Sequence, residues 1–180
     1  MTLFKNFADW EILQPVQCPV KNWNELPSEV AKNLETTMMI VQKIREYLAV
    51  PIRITSSWRP RSRGSAHQNG YAIDCQPKVK RNSDWIHKVM EYVVSQEFRQ
   101  WLKSSGLNKS VWFFIEWEDR NKRGLDSQDT YGWLHVDYGF PGRKSRKQIN
   151  RRIMAKVYKN GLKKWICKLY RGQNPWDYAK

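Results

Sequence analysis

His67, Asp74 and His135 are the residues of this chain whose types and spacing could do chemistry, and that chemistry is metal-assisted hydrolysis. The first two lie in Ser65-Ala-His-Gln-Asn-Gly-Tyr-Ala-Ile-Asp74, on either side of Gly70, and the third in Trp133-Leu-His-Val-Asp137. A hydrolytic zinc takes three protein ligands from nitrogen and carboxylate oxygen and keeps a fourth position for water, which it acidifies while polarising a carbonyl. Two imidazoles and a carboxylate make up such a set. Gly70 permits the tight reversal that lets His67 and Asp74 reach one ion, so the pair reads as a loop-to-strand site. Asp137 follows His135 on the same strand face and reads either as an acceptor that holds an imidazole in its ligating tautomer or as a surface salt-bridge partner. A lone histidine is more often structural than ligating, and His87 is read that way; Cys75, pointing away from Asp74, reads as core filler.

Hydrophobic periodicity sets out the elements that must position these groups. Ser28 is placed to cap a helix whose apolar face runs Val30, Leu34, Met38, Val41, Ile44 and Leu48, and Pro51 ends it. Ile52 to Ser56 alternates as a strand and delivers Arg59 into the basic loop Arg59-Pro-Arg-Ser-Arg-Gly-Ser65. Tyr71 to Gln76 reads as a short buried strand carrying Asp74. One helix is predicted from Ser83 to about Lys103, ended by Gly106. The aromatic run Val111-Trp-Phe-Phe-Ile-Glu-Trp117 reads as a central strand bearing a lone acid, Glu116. After a polar excursion from Glu118 to Tyr131, a final strand puts Trp133, His135 and Asp137 on one face and Leu134, Val136 and Tyr138 on the other.

This succession predicts an α+β fold with a small, mostly antiparallel sheet flanked by helices. It occupies residues 1–142, including a Pro-containing extended lead-in over 1–27 packed on the domain, in a chain of 180 residues. Residues 143–180 differ in composition: basic side chains recur with almost no acids, while Ile149, Ile153, Val157, Leu162, Trp165, Ile166 and Leu169 keep helical steps on either side of Gly161. They read as a cationic amphipathic appendage.

The net charge of +15 and a pI near 9.9 call for a polyanionic partner, whether nucleic acid, an anionic membrane face or a wall polymer. Cys18, Cys75 and Cys167 are too scattered for a disulfide framework or a thiolate zinc knuckle, which suits folding in a reducing cytoplasm. No apolar run reaches signal-peptide or membrane-spanning length, so a soluble chain without a signal peptide or transmembrane segment is expected. The ten tryptophans read as core filler, with some available to line a groove for sugar or peptide or to meet a membrane interface.

Taken jointly, Ser56-Ser-Trp-Arg-Pro60, the Ser65–Asp74 block and Trp133-Leu-His-Val-Asp137 resemble the M15 metallopeptidases, the group of D-Ala-D-Ala carboxypeptidases and phage L-alanoyl-D-glutamate endolysins that shares the hedgehog fold. The resemblance spans about residues 28–140. It implies one zinc ion bound by His67, Asp74 and His135, with Ser65 and Arg59 beside the substrate, where a guanidinium suits a peptide carboxylate or a developing oxyanion. Many members carry the catalytic acid three residues before the last histidine; Gly132 stands there in this chain. Elsewhere in the fold the acid ends the preceding strand, which makes Glu116 the first choice of general base, Asp129 the second and Asp126 the third.

The resemblance therefore implies a peptidase acting on the stem peptide of bacterial peptidoglycan, either a lysis enzyme made in the cytoplasm and released to the wall or a virion-associated hydrolase. The cationic segment would bring it to anionic membrane or wall polymer, with Trp165 entering the interface. Two other readings compete. One is a non-catalytic metal-binding module of the same fold, which Gly132 keeps open; the other is a nucleic-acid binder built on the basic tail, which leaves the three ligands unexplained.

Overall fold

A computed structural model describes residues 4–13, 17–78, 84–107, 111–118, 131–141, 152–159 and 162–167. The lead-in is not extended throughout. It holds a short helix, α1 (Asp9–Leu13), and a 3-10 turn at Trp23–Glu25, and it buries Phe4, Phe7, Ile12 and Leu13. Those four apolar side chains pack the segment onto the domain as expected, and the helical turns are what the extended reading did not contain.

Helix α2 (Ser28–Leu48) is the backbone of the core. Its apolar positions at three- and four-residue steps, Val30, Leu34, Met38, Val41, Ile44 and Leu48, are all buried. Pro27 takes the cap position and Ser28 is already helical, so the predicted serine cap moves by one residue. The helix closes on Ala49 in the left-handed conformation (φ 53°), and Pro51 then blocks continuation.

Among the described residues six strands form one sheet: β1 (Ile52–Ser56), β2 (Ala72–Pro77), β3 (Val111–Glu118), β4 (Tyr131–Tyr138), β5 (Arg152–Lys159) and β6 (Leu162–Cys167), in the order β1-β2-β4-β3-β5-β6. The first four are antiparallel neighbours, which is the expected α+β arrangement. Ile73, Cys75, Leu134, Val136 and Tyr138 turn one face of it into the core, where α2 packs. Between β2 and β3 the predicted single helix is two: α3 (Asp84–Val94) and α4 (Gln96–Ser104). Ser95 divides them, because its hydroxyl accepts the Phe98 N–H at 3.1 Å and so starts a new helix.

Past residue 150 the structure corrects the helical reading. Arg152–Lys159 and Leu162–Cys167 are strands of an antiparallel pair, with Lys159 opposite Leu162; β5 runs parallel to β3, and β6 forms the edge of the sheet. Apolar positions spaced by four satisfy a period of two as well as a helical one, and Asn160-Gly161 between the strands is a strong hairpin dipeptide. Among the described residues, no helix is long and apolar enough to cross a membrane.

Candidate metal centre

The site is assembled where the loop after β1 meets β2 and β4. His67 sits in a 3-10 turn, Ala66–Asn69, that Ser65 opens: the serine hydroxyl accepts the His67 N–H at 3.3 Å. Gly70 closes the turn in the left-handed region (φ 76°), and there a side chain is excluded twice over. A Cβ on Gly70 would stand 2.7 Å from the Val30 carbonyl oxygen of α2. The Arg59 N–H donates to the His67 carbonyl at 3.0 Å, the Trp58 indole N–H to the Gln68 carbonyl at 2.9 Å, and the Tyr71 N–H to the Ala66 carbonyl at 2.9 Å. Helix α2 ties the turn down from outside, through Asn33 to the Asn69 carbonyl (3.0 Å) and Thr37 to the Tyr71 carbonyl (3.1 Å).

Strand pairing supplies the other two groups. Asp74 on β2 lies directly opposite His135 on β4, so the sheet itself puts both on one face; Ala72 opposes Asp137 one pleat further along. The three predicted ligands converge. His67 Nε2 lies 3.2 Å from His135 Nδ1 and 3.3 Å from Asp74 Oδ2, and His135 Nδ1 lies 2.6 Å from Asp74 Oδ1. All three residues offer a ligand atom within 4.8 Å of the others. Two atoms bound 2.0–2.1 Å from a tetrahedral ion stand about 3.4 Å apart. The two contacts made by His67 Nε2 are close to that edge length, and the 2.6 Å contact of His135 Nδ1 with Asp74 Oδ1 is a hydrogen bond that an ion would replace.

Each imidazole is oriented from its far side. His67 Nδ1 donates to the Ser57 carbonyl at 2.7 Å, which leaves the lone pair on Nε2, facing the cluster. His135 turns Nδ1 to the cluster and Nε2 to Asp137 Oδ2 at 3.4 Å. Asp137 is fully buried, so it is no surface ion-pair partner, and of the two readings open for it the imidazole-holding one is what the geometry matches. His67 is also buried, while Asp74 and His135 keep some exposure, so the cluster has a closed wall and an open side.

Electrostatics agree with a cation site. Burial would raise the Asp74 carboxyl, yet hydrogen bonds and charge from His135 and His67 hold it well below the usual carboxylate range. Burial would lower His135, but hydrogen bonds to Asp137 and Asp74 push it up to about 8. Without metal the cluster thus stores positive charge against its carboxylates. Two imidazoles and a carboxylate fit a metal ion by donor type, and the two His67 contacts fit it by edge length.

The remaining predicted residues stand as follows. Ser65 shapes the His67 turn, and Arg59 lies beside it with a buried Nε that has no hydrogen-bond partner among the described residues. Glu116 is on β3 opposite Trp133, two positions from Phe114, which opposes His135; the pleat gives position 116 the sheet face of His135. Asp126 and Asp129 lie outside the described residues. Cys75 is buried on the opposite face, and burial raises its thiol. Sequence reasoning missed Ser57, Thr37 and Asn33. Ser57 acts through a backbone carbonyl, which has no side-chain signature, while Thr37 and Asn33 look like ordinary polar positions of an amphipathic helix. Set against protein-family models, curated proteins and solved structures, the chain has no match in any of the three comparisons.

Proposed function

We propose that this chain is a zinc-dependent peptidase of the M15 type that hydrolyses an amide bond in the stem peptide of bacterial peptidoglycan. The observation that carries the reading is the convergence of His67 Nε2, His135 Nδ1 and the Asp74 carboxylate, with each imidazole contacted at its outward nitrogen, by the Ser57 carbonyl and by the Asp137 carboxylate. His67, Asp74 and His135 hold the ion, which when bound supplies Lewis-acid polarisation of a carbonyl and an acidified water. Arg59 binds a carboxylate or the developing oxyanion of the peptide, a role supported by its unpaired buried Nε next to the His67 turn. Ser65 borders the same substrate strand. Glu116 is the general base, taking a proton from water and passing it to the leaving nitrogen, a contribution of about 10²–10⁴ in rate. Its support is the register that gives position 116 the face of His135.

Enzyme of this kind reaches the wall after release from the cytoplasm or from a virion, and its net charge of +15 favours anionic membrane or wall polymer. A second reading, a metal-binding module without catalysis, is favoured by Gly132, which stands where an acid is common in the family the chain resembles.

One set of measurements decides between them. The purified chain is expected to carry about one zinc per molecule, absent in His67→Ala, and to release new amino groups from purified peptidoglycan. Glu116→Gln should keep the zinc and lose about 10²-fold or more in rate. Zinc without release of amino groups from any wall would select the non-catalytic module; a metal-free wild type would sink both.

A further inference from the structure

The lead-in carries a second concave site built from none of the metal ligands. A cavity of about 520 Å³ lies between α1 and the turn at Trp23–Glu25. Its lining joins two indoles, Trp10 and Trp23, to Asp9, Lys21 and Asn24. The indoles differ in their freedom. Trp23 packs against the core and meets the Phe4 ring at 6.2 Å, so it is a fixed wall. Trp10 is 59% exposed, although the other aromatic side chains of the lead-in are folded inward. An indole left in water on the rim of a cavity is a platform without a guest.

The polar groups of the cavity are also unspent. Asp9 lines the cavity and is part-exposed, so its carboxylate can be reached from there, while its shielded Oδ1 has no hydrogen-bond partner among the described residues. Glu25, the nearby competing acid, is already engaged: it accepts from the Asn22 side-chain amide and from the Lys21 backbone N–H at 3.2 Å. Lys21 and Asn24 are exposed and present an ammonium and an amide to the same hollow.

This mixture discriminates among ligand classes. A purely apolar guest would leave Asp9 and Lys21 unpaired, and a phosphate or carboxylate would be repelled by Asp9. A pyranose satisfies every group: its hydroxyls donate to the carboxylate and accept from the ammonium and amide, and its C–H face lies flat on an indole. We propose that this cavity is a glycan-binding site, with Trp10 as the stacking platform and Asp9 as the hydroxyl acceptor. That the glycan is the N-acetylated strand of the wall rests on the peptidoglycan reading above. The site is also clamped to the catalytic sheet. Glu11, on the same helix as Trp10, accepts from Lys78 Nζ at 2.6 Å, and Lys78 follows Asp74 along the β2 strand by roughly 13 Å of strand rise.

Titration of the full chain with the tetramer of N-acetylglucosamine, followed by calorimetry and indole fluorescence, tests the site. Saturable heat with a change in fluorescence is expected, weakened about tenfold or more in Trp10→Ala and in Asp9→Ala. Circular dichroism verifies that both variants stay folded; Trp10 is solvent-exposed, so its replacement opens no core cavity. No saturable response from the wild type in the millimolar range, or equal affinity in wild type and a folded Trp10→Ala, would overturn the proposal. Neither readout needs metal or cleavage. A chain that binds the tetramer but cuts no wall retains the glycan site and loses the peptidase reading, and one that cuts wall while ignoring the tetramer does the reverse.

Discussion

The two imidazoles of the cluster are steered by different kinds of group, and the difference can be measured. His135 depends on a side chain, the buried carboxylate of Asp137 at 3.4 Å from Nε2. An amide there cannot offer the same negative charge, so Asp137→Asn should weaken zinc binding by about 10–100-fold, read by competition with a chromophoric chelator. An unchanged affinity would remove Asp137 from the account. His67 depends instead on the Ser57 carbonyl, which survives any substitution of that side chain. The Ser57 hydroxyl is buried with at most the weakly bonding Cys18 thiol beside it, so Ser57→Ala should leave metal affinity within about threefold of the wild type, with little change in stability. A large loss in both variants would mean that packing, and not the orientation of His135, limits the site.

At the scale of elements, the site depends on how closely the His67 turn approaches α2. Gly70 is the contact point, with left-handed backbone and the Val30 carbonyl 2.7 Å from where a Cβ would stand. Gly70→Ala has to pay about 1–2 kcal/mol for the conformation alone and must also push turn and helix apart. Destabilisation of about 2 kcal/mol or more is expected in chemical denaturation, together with weakened zinc binding, because His67 lies on one side of the glycine and Asp74 on the other. A stable variant with full metal affinity would show that the turn can move without disturbing its ligand. Thr37 and Asn33, which hold the same turn from the helix, explain why an amphipathic helix that bears no ligand is still part of the site's support.

For the whole molecule, the last strands matter through the edge they cover. β5 pairs along β3 from Trp112 to Glu118, a strand of the composition Val-Trp-Phe-Phe-Ile-Glu-Trp-Glu. A chain ending at residue 142 would leave that strand with a bare row of backbone donors and acceptors, the arrangement that templates intermolecular pairing. Such a truncation is expected to associate or precipitate at concentrations where the full chain stays monomeric, as followed by light scattering. A monodisperse truncated protein would show that the hairpin is dispensable to the sheet and free to serve as a cationic anchor alone.

Much of this architecture can be read from residue order because side-chain period records which face of an element is buried. The α2 stripe from Val30 to Leu48 and the alternation at Leu134, Val136 and Tyr138 could scarcely belong to other elements, and both are buried as expected. The same alternation put His135 and Asp137 on the face away from the core, and the types and spacing of His67, Asp74 and His135 picked out three residues that the structure brings together. Short-range pattern was less decisive where two periods coincide. Ile153, Val157 and their neighbours suit helix or strand, and Asn160-Gly161 is the local feature that favours a hairpin. Ser95 was likewise legible as a cap only with its hydroxyl turned to the Phe98 N–H. Tertiary structure alone decided the pairing of Asp74 with His135, the parallel seat of β5 on β3, the use of the Ser57 carbonyl and the burial of Asp137. Each of these depends on groups distant in the chain or on backbone atoms common to every residue, and no local pattern of side chains encodes them.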